Sequence, residues 1–536
     1  MEKQTGEQKP MPIHKIQNGP AVKRPQAGNP VFGRAEQTFF FLYLFAALIL
    51  VFSHEPWEDE LQVWCIAQEL SIPEIFHQMR YEGHFALWYL LQKPFIWLNL
   101  PLNLMNILAW ILCVGAAGML LACRSFGSVI KFLLLFSCPL LYWFPVVARN
   151  YALIPPALAL IAGLYPVRLK KPFAYAFSLL LLVHSHAYME GLAGILGAFF
   201  AWDLIMHCRR MPGPAKWKTA GVLALIAAGV LAAFLQVAPA FGVSSFAPAS
   251  AASIFARPET VPGRIWNVLI RLPADYSGWL GRWTDPKLMA WLFYGALLAA
   301  LIQLQRTHGF RPVIIFLTGF FWQVLFAALL YGFAMHRLYL PLLILVFCYA
   351  LPVRKKRLRN IRPPVRKLLD PVWPVGVLCL MLLPDLVFFA EMDISRPFSN
   401  QAQIAYFIGR QIPKEAKIFV VPETLITGTF RAFLPDRVFY RCSDKQPFRL
   451  FRVQTPHPKE LDDALLTRLM QGEEEIYLLF QAGVFLGYGL PKRAEEYDFP
   501  SFRMKLVFGT GPKAFFNAGE DYALFKVTRK SVADEL

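Results

Sequence analysis

Residues 38–60 read TFFFLYLFAALILVFSHEPWEDE, sixteen residues without a charge followed by a proline and four acids. A helix rises about 1.5 Å per residue, so a hydrocarbon layer about 30 Å thick takes roughly 20 apolar residues to cross. The stretch 38–53 with its flanks meets that need, and the pattern repeats along the chain. We read eleven spans, at 38–53, 103–122, 129–147, 153–167, 173–189, 191–206, 219–238, 288–304, 312–331, 338–352 and 372–391. The composition agrees: 56% of the 536 residues are hydrophobic, 15% are aromatic and the mean hydropathy is +0.42, too apolar for a soluble enzyme. A third apolar stretch in the first long loop, Phe85–Leu98, is read as a juxtamembrane helix. Counting it as a span would put the basic run at 354–367 on the wrong side.

Lysine and arginine set the orientation, because cytoplasmic loops carry an excess of them. With the N-terminus inside, 25 of the 54 basic residues fall in cytoplasmic segments, nine in outer loops and 20 in the C-terminal region. The net charge of +18, which in a soluble protein would suggest nucleic acid, is explained by this bias, and no nucleic-acid partner is expected. Three parts follow: a polar cytoplasmic tail at 1–37 with no cleavable signal peptide, a transmembrane domain at 38–391 with long outer loops 54–102 and 239–287, and an extracytoplasmic α/β domain at 392–536. In the last part, Ala402–Gln411 and Glu460–Gln471 read as helices, and Lys417–Val421, Arg437–Tyr440 and Glu475–Phe480 as strands. Five of the eight cysteines lie in or beside apolar spans, as small core residues.

Ionisable groups at membrane depth are costly, so they are functional candidates, and here they collect on the outer side. Glu58-Asp59-Glu60 follows the first span. Arg80-Tyr81-Glu82-Gly83-His84 and Leu87-Trp88-Tyr89 lie in the same loop. The next outer turn carries Arg149-Asn150-Tyr151, the fifth span ends near His184, His186 and Glu190, and His336-Arg337 precedes the tenth. Singly, each has a plainer explanation. Acids favour helix starts, Arg149 could anchor at the interface, and His186 with Glu190 at i,i+4 could be a polar pair on one helical face. Asp203 and Asp385 are assigned no role. Together the outer groups suit glycosyl transfer from a polyprenyl phosphate. A carboxylate takes the acceptor's proton, cationic groups meet the phosphate, and aromatic rings give the sugar a surface.

This arrangement resembles the GT-C superfamily of integral-membrane glycosyltransferases, which includes protein mannosyltransferases and the aminoarabinose transferase of lipid A. The resemblance rests on Asp59-Glu60 with Gln62 and Trp64, on Tyr81-Glu82-Gly83-His84 with Leu87-Trp88-Tyr89, and on Ala148-Arg149-Asn150-Tyr151. It covers roughly 35–350 in arrangement but only the first 155 residues in motif. It implies a GT-C-like α-helical membrane module in a bacterial inner membrane, with an extracytoplasmic site and a polyprenyl-phosphate-linked sugar donor. The acceptor would be a lipid, a glycan or a protein. Asp59 matches the family's acid and Glu60 stands beside it as the catalytic pair. Glu82, His84, Arg149, Tyr151, His336 and Arg337 fall to substrate and phosphate. Some members use a divalent ion, so Mg²⁺ or Mn²⁺ is open here, with Asp59, Glu60 and Glu190 as oxygen ligands. One departure stands out. Family members often have an aspartate a few residues after the second-turn arginine, and Tyr151-Ala152-Leu153-Ile154 has none: either Glu82 or Glu190 substitutes, or the second acid is dispensable, or the chemistry has changed. The alternative reading is a transporter or flippase of a lipid-linked glycan, which would tend to show an internal repeat and mid-membrane polar sites. A third is an envelope scaffold.

Overall fold

The structure, a computed structural model, describes residues 32–209, 213–238, 260–330, 332, 335–352, 372–421, 423, 429–448, 460–481, 495–511, 514–515 and 521–530. The polar tail before residue 32, the Ala/Ser/Pro-rich part of the loop at 239–259 and the basic run at 354–367 lie outside the described residues.

Helices α1 (Arg34–Ser53), α2 (Glu58–Glu69), α3 (Ile72–Glu82), α4 (Leu87–Trp97) and α5 (Leu104–Ala122) open the chain. Next come the bent pair α6 (Ser128–Leu135) and α7 (Pro139–Val146), then α8 (Ile154–Leu164), α9 (Pro172–Val183), α10 (Glu190–Cys208) and α11 (Gly213–Val237). After them run α12 (Val261–Tyr276), α13 (Gly278–Trp283), α14 (Pro286–His308), α15 (Phe310–Leu329), α16 (Leu340–Ala350), α17 (Val372–Met381) and α18 (Leu383–Ser395).

Among the described residues, eight helices are long and apolar enough to cross a membrane, or nine with the bent pair, which makes this a multi-pass membrane protein. Every one of the eleven stretches read from sequence lies on an apolar helix. Pro172–Val183 and Leu340–Ala350, however, are shorter than a full crossing, so eleven crossings are not established. The expected single span at 129–147 is instead two helices meeting at 56°. The break falls just before Pro139, which has no N–H to donate to the end of α6, and Phe136 leaves helical geometry there at φ −97° and ψ 24°. Helix α4, with eleven residues, is about 16 Å long and falls short of a crossing. It packs on α2, as a juxtamembrane helix would. In the second long loop, α12 buries Leu272, Pro273 and Tyr276 and leaves Trp266 exposed, while Trp283 is exposed at the end of α13. That is the amphipathic pattern of an interfacial segment.

Asp203, given no role from sequence, is a clamp. Its carboxylate accepts from Arg168 Nη2 at 2.8 Å and from Arg311 Nη2 at 2.9 Å, joining the α8–α9 connection, α10 and the start of α15.

The C-terminal part holds α19 (Gln401–Gln411), α20 (Asp463–Leu469) and a six-stranded sheet. The strands are β1 (Ile418–Val421), β2 (Phe439–Arg441), β3 (Glu475–Gln481), β4 (Glu496–Asp498), β5 (Phe502–Gly509) and β6 (Tyr522–Arg529), in the order β2-β1-β3-β6-β5-β4. The first three are parallel and the remainder antiparallel. Alternate residues of β1 and β3 serve two cores: Phe419, Leu478 and Phe480 face α20, whereas Ile418, Val420 and Leu479 face α19. Both helices and all three strands read from sequence are present, within a few residues. Strands β4 to β6 went unread, although Phe502, Met504 and Leu506 alternate with Arg503 and Lys505 in the period of a half-buried strand. The short helical turn Thr429–Ala432 packs on α2, where Arg431 pairs with Glu69.

Replacing Asp203 with alanine leaves two guanidinium groups without their acceptor, at a cost of about 1–3 kcal/mol. The midpoint of thermal unfolding of the detergent-purified protein should drop by several degrees. An unchanged midpoint would mean the clamp adds nothing.

Candidate functional site

The site begins where α1 stops. Pro56 prevents the helix from continuing, and α2 restarts two residues later with Glu58, Asp59 and Glu60 in its first turn. These three acids point to different places. Glu60 turns inward and is 0% exposed. Its Oε2 caps its own helix by accepting the Trp57 N–H at 3.2 Å, and it bonds His54 Nε2 at 2.9 Å. Its Oε1 accepts from Asn106 Nδ2 at 3.0 Å and from the Ala148 N–H. His54 Nδ1 in turn bonds Asp393 Oδ2 at 2.9 Å, and the Tyr142 hydroxyl donates to that same oxygen at 2.9 Å. Burial alone would pull His54 down, but Asp393 and then Glu60 outweigh it and push the imidazole up to about 10. It is therefore a buried cation held between two carboxylates.

Asp59 points the other way. Its side chain is 26% exposed and forms an ion pair with Arg149, whose own side chain is 5% exposed. Arg149 is held by the turn on either side of it. Trp88 Nε1 donates to the Ala148 carbonyl at 3.0 Å, and Asn150 Nδ2 donates to the Ser185 carbonyl at 2.8 Å. On its far edge Arg149 Nη2 meets His84 Nε2 at 3.2 Å. Gly83, left-handed at φ +67°, closes α3 and turns the chain to deliver His84; a side chain there would be strained.

Beyond His84 the cluster continues through aromatic rings. His186 lies 5.9 Å from His84 and stacks on Tyr151 at 4.6 Å, and His336 tilts over Tyr151 at 4.2 Å. The Tyr151 hydroxyl accepts from Arg337 Nε at 3.0 Å. Burial, followed by the charges of Arg149 and Arg337, drives His84 well below its ordinary range. Burial, then His84 ahead of Arg337 and Arg149, lowers His186, and burial followed by Arg337 and Arg149 lowers His336. The outcome is neutral imidazoles beside two guanidiniums.

The structure thus brings together Asp59, His84, Arg149, Tyr151, His336 and Arg337. Glu82 stands at the edge, its Oε1 accepting from Gln62 Nε2 at 3.2 Å and Gln78 Nε2 at 2.9 Å. Burial chiefly, and Asp59 among its neighbours, pushes Glu82 up to about 7 against the pull of those amides. Of the two substitutes for the missing aspartate, Glu82 is the one in electrostatic reach of Asp59 and Arg149. Glu190 lies instead at a cleft of about 460 Å³ between α9, α10 and α11. His186 and Glu190 do not share a helical face either, because His186 is extended at φ −163° and precedes the helix. Asp59, Glu60 and Glu190 are not gathered as a metal set: both Glu60 oxygens are engaged in its own network. Among the described residues no group of three or more histidine, cysteine or acidic side chains is arranged to hold a metal ion.

Sequence reasoning missed His54, Asn106, Tyr142 and Asp393. His54 carried a signal, being an ionisable residue at the very end of the first span. Asp393 carried none, because it lies 339 residues away from its partner.

Fold and site together define a multi-pass membrane protein with a polar site at one end of its helical bundle. The chain is similar in structure to ArnT from Cupriavidus metallidurans bound to undecaprenyl phosphate, with 12% sequence identity, a TM-score of 0.50, and coverage of 91% of this chain and 98% of that one. The apo structure of ArnT from the same organism matches with 13% identity, 92% and 98% coverage and a TM-score of 0.46. No family model matches the chain, and no curated protein does.

The unfolded chain releases the His54 proton near its ordinary 6.5, whereas the folded protein holds it to about 10. This stabilisation is complete below pH 6.5 and is lost as pH rises toward 10. The melting temperature should therefore fall steadily between pH 7 and 10, and His54→Gln should flatten the slope. A wild-type profile level over that range would exclude a buried imidazolium.

Proposed function

We propose that the protein is a membrane glycosyltransferase that moves a sugar from a polyprenyl-phosphate donor to a lipid, glycan or protein acceptor. The observation that carries this reading is a single carboxylate, Asp59, set against Arg149 beside neutral histidines and Arg337 at one end of an apolar bundle. The fold shared with a protein solved with undecaprenyl phosphate supports it. The donor's tail stays among the helices or in lipid while its phosphate meets Arg149 and Arg337, whose planar forks suit phosphate oxygens. The acceptor oxygen forms the new bond to the anomeric carbon. The old bond to the phosphate oxygen breaks, and its electron pair leaves with the polyprenyl phosphate. Asp59 takes the acceptor's proton as general base, and the guanidiniums offset the charge that grows on the leaving phosphate.

Glu60 serves this chemistry indirectly. With all of its bonds made, it holds α2 so that Asp59 faces Arg149, and that division of labour favours Asp59 as the base. Following the lysine and arginine bias, the site and the sheet are assigned to the extracytoplasmic side. There the turn Thr429–Ala432, packed on α2, supports a role for the C-terminal part in binding the acceptor.

Losing a general base costs about 10²–10⁴-fold in rate. Asp59→Asn should therefore abolish transfer in membranes while the protein stays folded and inserted. Lipid extracts of a deletion strain and of one complemented with Asp59→Asn should both accumulate one polyprenyl-phosphate sugar. Accumulation in the deletion strain alone would remove Asp59 from the chemistry, and no accumulation in either would overturn the transferase reading.

A further inference from the structure

His186 takes no part in the chemistry derived so far, yet its environment specifies what it can do. Its Nδ1 accepts the Tyr188 N–H at 3.1 Å, a bond fixed by the extended backbone that caps the following turn. A ring nitrogen that accepts carries no proton, so the neutral ring must keep its proton on Nε2. A doubly protonated ring would lose the Tyr188 bond and add a third cation beside Arg149 and Arg337. Nε2–H is therefore a donor whose tautomer the backbone sets. It is buried, on a residue 3% exposed, and has no hydrogen-bond partner among the described residues.

The groups around this donor share one character. The ring lies flat on Tyr151, whose hydroxyl already receives Arg337 Nε, and next to His84, which meets Arg149 Nη2. Two guanidiniums and one unspent N–H converge where Asp59 is the paired anion. Their complement is a ligand rich in acceptor oxygens and negative charge. Buried donors are costly to leave unmet, and an oxyanion would meet this one.

We propose that His186 is a third phosphate-binding residue, donating its Nε2–H to an oxygen of the lipid carrier's phosphate alongside Arg149 and Arg337. The inference rests on reading this cluster as a polyprenyl-phosphate site. Because the donor is neutral, it adds a directed bond to a charged phosphate oxygen, stronger than one to an uncharged hydroxyl, without adding a third positive charge. Because Tyr188 holds the opposite nitrogen, the ring cannot flip to present an acceptor.

The test uses the full-length protein in detergent and two probes with the same tail, undecaprenyl phosphate and undecaprenol, with affinities read by native mass spectrometry. Wild type should prefer the phosphate. His186→Phe, which keeps a ring to lie on Tyr151 but has no donor, should lose about tenfold for undecaprenyl phosphate and nothing for undecaprenol. His186→Gln, which returns an N–H near the Nε2 position, should recover most of that loss. If His186→Phe does not survive purification, His186→Met replaces it as the donor-free variant. Equal loss for both probes would make the role structural, and no loss for either would remove His186 from the site; each result overturns the proposal while leaving the transferase reading intact. A wild-type protein that does not distinguish the probes would instead sink the phosphate site itself, and this inference with it.

Discussion

The bond between Glu60 and His54 is the constraint on which the site depends. A carboxylate and an imidazolium this far from water survive only if each is paired and hydrogen-bonded, since the desolvation of either alone exceeds what the rest of the fold could offset. Glu60 meets the requirement with the end of α1, its own helix start, Asn106 of α5 and the turn before Arg149. His54 adds Asp393 at the end of α18, and Tyr142 closes the network from α7. Six parts of the chain are thus gathered into one network. Removing one member leaves the others buried and unpaired, so the network holds or fails as a unit.

That gathering explains why the neighbouring Asp59 is available. Two adjacent residues on a helix differ by about 100° in direction. With Glu60 fixed inward, Asp59 faces away from that network toward Arg149, which stands on a turn that Glu60 itself anchors through Ala148. The buried residue carries the geometry and its exposed neighbour is left for chemistry. The same separation appears among the histidines: His54 is enclosed by carboxylates and charged, whereas His84, His186 and His336 face guanidiniums and stay neutral. Identical side chains thus take opposite electrostatic roles about one bundle end, according to the sign of what surrounds them.

The opposite reaches of the bundle use charge differently. At Asp203 one acid meets two arginines, a compact way to satisfy guanidinium groups at a helix end, with Arg168 over the Tyr165 ring and Arg311 over Phe199. The cluster around Tyr151 has its guanidiniums among imidazoles instead, and keeps buried ring nitrogens of His186 and His336 without a partner among the described residues.

Much of the fold was legible in the sequence because the bilayer writes a local rule. Apolar runs of fixed length mark helices, so all eleven stretches lie on helices, and α4 was correctly kept short. The alternation of β1 and β3 was likewise a local pattern. Asp59, Arg149, His84, Tyr151, His336 and Arg337 could be nominated together because each sits at a helix end on the same side. Tertiary structure alone decided the rest. It split Asp59 from Glu60, set Glu190 apart and broke the third span at Pro139. It also paired His54 with Asp393 and fixed the tautomer of His186. The physical reason is that a helical period reports which face is apolar over a few turns, whereas a buried charge must find its partner wherever the folded chain brings one, and nothing local encodes a meeting of His54 with Asp393 across a separation of 339 residues.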